Sequence, residues 1–249
     1  MDKLPKERFF ELDALRGLAI FLMLIYHFFF DLNFLGIYEL NIHSGILLVI
    51  GRSAAILFIF LVGVSLTLSY SRTLSLDGTQ NQFSHFFKRA AGVFAWGLVI
   101  TVVTAVFLAR GTIYFGILHL IGVSIILAYP FLKYKKLSLF TGIILLCAGF
   151  FMETAHADFP WLLWLGIKPY GFYTLDYFPL IPWFGVVLLG VFTGNILYPD
   201  YQRSFRICDC EGNVVVSLLG YLGKKSLLIY LVHQPVIVGV LLLLIHLDN

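Results

Sequence analysis

Four ionisable side chains, Asp13, Arg16, His27 and Asp31, punctuate a single apolar stretch, LDALRGLAIFLMLIYHFFFD. At about 1.5 Å per residue, a helix places His27 roughly 16 Å beyond Arg16, about half-way through a hydrocarbon core of about 30 Å. Ionisable groups at that depth are costly and mark function. A spacing of four puts His27 and Asp31 on one helical face. There the carboxylate would hold the imidazole tautomer and raise its basicity, as orienting acids do. The chemistry this predicts is proton abstraction inside a membrane, with His27 as the base and Asp31 as its orienter.

Of the seven histidines, His119 and His233 also fall in apolar runs, either as functional groups or as neutral imidazoles bonded across helices. His85, His156 and His246 are expected in water. His43 ends the first connection, at the membrane surface. Arg52 lies about two turns inside the second apolar run, either snorkelling or holding a substrate. His27 and Asp31 alone are too few to ligate a metal, and none is expected. The three cysteines cannot build a disulfide framework. Cys147 lies in an apolar run, and Cys208 and Cys210 fall in a connection.

The elements that must position these groups are membrane helices. The chain is 60% hydrophobic and only 12% charged, with a net charge of +3, against about 25% charged for soluble domains. Apolar runs of spanning length fall at residues 14–35, 46–69, 90–108, 113–132, 137–151, 178–197 and 226–245. The fold class is all-α: a polytopic bundle of about seven spans, with residues 1–249 forming a single membrane domain. Glu7, Glu11 and Asp13 interrupt the N-terminal basic run and no cleavage site follows, so the first run is expected to be a retained span rather than a leader.

Lys3, Lys6, Arg8, Arg72, Lys88, Arg89, Lys133, Lys135, Lys136, Arg203, Arg206, Lys224 and Lys225 gather on one side, leaving Arg110 and Lys168 on the other. The N-terminus is therefore predicted to be cytoplasmic. Residues 80–89 read as an interfacial segment or a solvated linker. The aromatic stretch 153–177, with Trp161, Trp164, Tyr170, Phe172, Tyr173 and Tyr177, reads as a cap on the outer face, with a stacking floor for a sugar as a further role. Gly190, Gly194, Ser53, Ala54 and Gly63 read as points of close helix approach.

Five blocks in order resemble a known family: LDALRGLAIFLMLIYHFFFD, AILFIFLVGVSL, FGILHLIG, DYFPLIPWFGVVLLG and LGKKSLLIYLVHQP. Together they look like the heparan-α-glucosaminide N-acetyltransferase family and its small prokaryotic relatives. The arginine, ten residues and histidine of the related acyltransferase family 3 match Arg16 and His27. The resemblance implies acetyl transfer from cytoplasmic acetyl-CoA to an amine or hydroxyl of an extracytoplasmic sugar or glycan. It also raises His43, which lines up with the outer-loop histidine of the heparan type only across a gap, as the second candidate for the catalytic histidine.

On that reading Arg16, with Asp13, sits at a helix N-terminus that suits the phosphates of CoA, and Lys88 and Arg89 add positive potential. Oxyanion donors would come from His119, Tyr230, His233 or Gln234. The expected partners are acetyl-CoA, the glycan acceptor and the bilayer, with no nucleic acid. The chain has fewer spans than its larger relatives, so a second copy could complete a homodimer. The expected place is the plasma membrane. The competing readings are a small proton-coupled transporter and a non-catalytic membrane subunit.

Overall fold

The computed structural model describes residues 9–77, 82–108, 110–152, 154–207 and 213–247. Cys208, Cys210, Lys3, Lys6 and Arg8 lie outside them, as do residues 80 and 81 of the expected interfacial segment. Eight α-helices carry the described chain: α1 (Phe10–Phe34), α2 (Gly45–Asp77), α3 (Gln82–Phe107), α4 (Ile117–Ala128), α5 (Lys135–Met152), α6 (Leu180–Leu197), α7 (Val214–Lys224) and α8 (Ser226–Leu247). Six of them (α1, α2, α3, α5, α6 and α8) are long and apolar enough to cross a membrane. The protein is an integral, multi-pass helical membrane protein.

Each predicted apolar run is a helix. The fourth is short, twelve residues of α-helix continued by a 3₁₀ turn at Tyr129–Phe131. Residues 82–89 are the opening turns of α3 rather than a separate interfacial piece. The eleven residues of α7 form a helix where a connection was expected, opened by Asn213, whose side chain accepts from the backbone N–H groups of Val215 and Val216. The outward flanks are apolar, as lipid-facing flanks must be: Phe107, Phe150 and Ile144, and along α8 Val236, Leu243 and Leu247, are all exposed.

The chain divides into two compact units, and α2 contributes to both. In the unit built on Val62–Arg206, α3 and α4 run antiparallel, with Gly97 against the His119 ring and Gly122 against Phe94. The second half of α2 lies along α6, Gly63 meeting Val187 and Gly190, and Gly194 meeting Val64 and Thr67. That register makes the two helices parallel, as the second and sixth spans of an alternating bundle should be. α5 packs antiparallel on α6.

The aromatic stretch after α5 is tied to the segment that leads into α4. Leu175 N–H donates to Gly111 O (3.2 Å) and Thr174 Oγ1 to Thr112 O (2.8 Å), while Phe115 and Tyr177 form a parallel bridge. Tyr177 donates its hydroxyl to Leu163 O (2.7 Å) beneath the Lys168 ammonium. Burial pushes that phenol up to about 12.

The other unit holds α1, the first half of α2, α7 and α8. Here α7 runs antiparallel along the first turns of α1 at backbone contact. A Cβ on Gly17 would strike the carbonyl of Leu219, and one on Gly223 the carbonyl of Asp13. α8 packs against the far half of α1.

Candidate functional site

In the unit formed by α1, α7 and α8, the residues singled out on α1 meet a second set on α8. His27 and His233 face each other edge to face, their ring centroids 4.7 Å apart. His233 and Asp31 are buried, the latter at 1% exposure. Gln234 Nε2 donates to Asp31 Oδ1 across 3.4 Å. Four polar side chains, two from each helix, thus converge in an otherwise apolar bundle.

The protonation pattern follows from what the rings touch. His27 Nδ1 lies 2.9 Å from Met23 O, and His233 Nδ1 2.6 Å from Tyr230 O. A carbonyl oxygen only accepts, so each Nδ1 must carry the hydrogen. In the neutral rings each Nε2 then carries a lone pair. That of His233 is buried with no partner, as are Asp31 Oδ2 and Gln234 Oε1.

The expectation that Asp31 fixes the His27 tautomer is corrected by this geometry. Asp31 bonds to Gln234, and the backbone carbonyl of Met23, one turn before His27, sets the tautomer instead. A shared helical face brings two side chains near, but a neighbouring helix supplied a better donor to the carboxylate. His233 is also corrected as an oxyanion donor: its N–H is committed to Tyr230 O, and the neutral ring has only a lone pair left. Gln234 keeps an amide N–H, and remains a donor.

At the start of α1, Arg16 Nη1 pairs with Asp13 Oδ1 at 2.8 Å. Asp13 is buried while the arginine side chain keeps 27% of its surface. Asp13 therefore anchors the guanidinium, and α7 backs Asp13 through Gly223. Arg52 is exposed on α2, and His43 is exposed in the bend before it, with no polar partner among the described residues.

Within the other unit, His119 is a structural residue rather than an oxyanion donor. Its Nδ1 accepts from Gly116 N–H (3.3 Å), capping α4. Thr101 Oγ1 gives its hydrogen to Ile113 O at 2.6 Å, so it accepts from His119 Nε2 at 3.4 Å. Both ring nitrogens are occupied, and the ring packs among Phe94, Phe115 and Gly97. Lys88 and Arg89 are exposed on the second turn of α3.

Asp176, to which the sequence reading gave no role, accepts from Ile117 N–H at the start of α4 (3.3 Å). The residue keeps some surface, but its carboxyl lies deep, and burial raises it to about 6. Its place just ahead of an apolar run, at the head of the block DYFPLIPWFGVVLLG, is the signal that could have flagged it.

Among the described residues, no three His, Cys, Asp or Glu side chains gather as a metal set. Over residues 8–235 the chain matches the family described as Heparan-alpha-glucosaminide N-acetyltransferase, catalytic. No curated protein and no solved structure matches it.

Proposed function

This chain belongs to the heparan-alpha-glucosaminide N-acetyltransferase catalytic family and is a transmembrane acetyltransferase, and we propose that it moves acetyl from cytoplasmic acetyl-CoA to an amine or hydroxyl of an extracytoplasmic sugar. The observation that carries the reading is the His27 and His233 pair, set beside Asp31 and Gln234 on membrane-spanning helices. Acyl transfer needs a base at the nucleophile and a donor at the developing oxyanion. His27 Nε2 supplies the base, preset by the Met23 carbonyl.

Gln234 supplies the donor, its amide oriented by Asp31. In the direct route the nucleophile loses its hydrogen to His27 Nε2 as it attacks the thioester carbon. The oxyanion collapses, the C–S bond breaks, and the imidazolium returns the proton to the thiolate. Arg16, held by Asp13, binds a phosphate of CoA. The N-terminus is cytoplasmic, and the protein resides in the plasma membrane.

The test uses the purified protein in lipid nanodiscs with acetyl-labelled CoA and a panel of amino and neutral sugars. Label should pass to sugar. His27→Ala should abolish transfer while the thermal unfolding curve is kept. Full activity in His27→Ala would move the role to His43. Rapid quenching with the donor alone separates direct transfer, which leaves the protein unlabelled, from a route through acetyl-histidine.

A further inference from the structure

Around the paired imidazoles the atoms without partners are all acceptors: Asp31 Oδ2, Gln234 Oε1 and His233 Nε2 are buried and unpaired, and His27 Nε2 carries a lone pair because its Nδ1 is committed to Met23 O. Buried acceptors left bare cost about 1–3 kcal/mol each, so the cluster suits a group that brings several hydrogens. A single base would leave His233 without a task. Its placement beside the first base, with its only N–H tied off at 2.6 Å, gives it one.

Resting on the acetyltransferase reading above, we propose that His233 is a second proton acceptor of the site, taking the extra proton that an acceptor carries when it arrives as an ammonium. The proton balance separates the two acceptor classes. A hydroxyl loses one hydrogen on acetylation, which ends on the CoA thiolate, so one base suffices. An ammonium loses two: one frees the nitrogen lone pair, and the second leaves after the C–N bond forms.

One of those protons reaches the thiolate through His27. The other passes to His233 Nε2 and leaves as a net proton. The titratable groups that touch His233 are His27 on α1 and Tyr230 on its own helix; Asp31 joins the cluster through Gln234, and Tyr26 through His27. On α7, which also packs on α8, Tyr221 and Lys224 are exposed.

The experiment compares an amino sugar with its hydroxyl counterpart, using the full chain in nanodiscs with acetyl-CoA across a pH series. His233→Asn and His233→Gln should lower kcat/KM for the amine about 100-fold at neutral pH, the low end of general-base effects. The deficit should shrink as pH rises through the amine's own pKa, and below that pKa it should exceed any loss on the hydroxyl by at least about ten-fold. Equal losses on both acceptors at every pH, no loss on the amine, or a wild type that acetylates only the hydroxyl would each overturn the proposal.

A wild type that transfers acetyl to neither sugar would instead sink the acetyltransferase reading itself. Should both variants misfold, ¹⁵N-histidine spectra of the wild type decide. Adding the amino sugar without acetyl-CoA should protonate His233 Nε2, and adding the hydroxyl sugar should not; the same spectrum with both would refute the assignment.

Discussion

Gly17 and Gly223 make a quantitative test of how α7 holds the start of α1. Each replaces a side chain at a point where the opposite backbone carbonyl leaves no room, Leu219 facing Gly17 and Asp13 facing Gly223. A methyl at either site has rigid backbone to meet, so α7 must move outward. Overpacking of this kind costs about 1–3 kcal/mol. For a chain of this size that is a fall in melting temperature of roughly 2–12 °C.

The same outward shift relieves both collisions, because the two contacts lie on one antiparallel helix pair one turn apart. Gly17→Ala with Gly223→Ala should therefore cost clearly less than the sum of the two, with a coupling of about 0.5–3 kcal/mol. Since α7 backs Asp13 and Asp13 holds Arg16, all three variants should also raise the apparent KM for acetyl-CoA more than they lower kcat. The assays are thermal unfolding in detergent and steady-state kinetics in nanodiscs. Strict additivity, or single variants as stable as the wild type, would refute the packing argument.

Three further outcomes follow from the geometry. Arg16→Ala should weaken acetyl-CoA binding, read as KM, and leave kcat nearly unchanged. His119→Ala should destabilise the protein by about 1–3 kcal/mol in thermal unfolding, since it strips the cap from Gly116 N–H, and any surviving protein should keep its kcat. For Asp176, a carboxyl raised from 3.8 to about 6 favours its protonated form in the folded state. The folded protein therefore loses stability as pH rises from below 4 through 6. Asp176→Asn removes that loss, so its stability relative to wild type should rise by up to about 2 kcal/mol between about pH 4.5 and pH 7.5. A pH-independent difference would show that the carboxyl is not the titrating group.

How much of this was legible beforehand divides along a physical line. Spans such as α2 and α8 announce themselves because lipid demands long apolar runs, and Gly63 and Gly194 lie at helix contacts, as small residues in spans suggest. α7 did not, since VVVSLLGYLGK is too short to cross a bilayer and owes its helix to its seat on α1. His27, Asp31, His233 and Gln234 could each be picked out as polar groups in apolar surroundings. Who bonds to whom could not, because Asp31 and Gln234 stand 203 residues apart in the chain. His119 looked like its two counterparts on paper, and only its contacts with Gly116 and Thr101 separate a capped helix end from a reactive group.

Pro235 follows Gln234 directly within α8. A proline has no N–H to offer the carbonyl one turn earlier, that of Leu231, so the backbone ladder lacks the rung that spans His233 and Gln234. The stretch bearing His233 and Gln234 is thus joined to the remainder of α8 by a weaker splice than any other turn of that helix. The hold on that stretch therefore falls in part to its contacts with α1, the facing His27 ring and the Asp31 carboxylate.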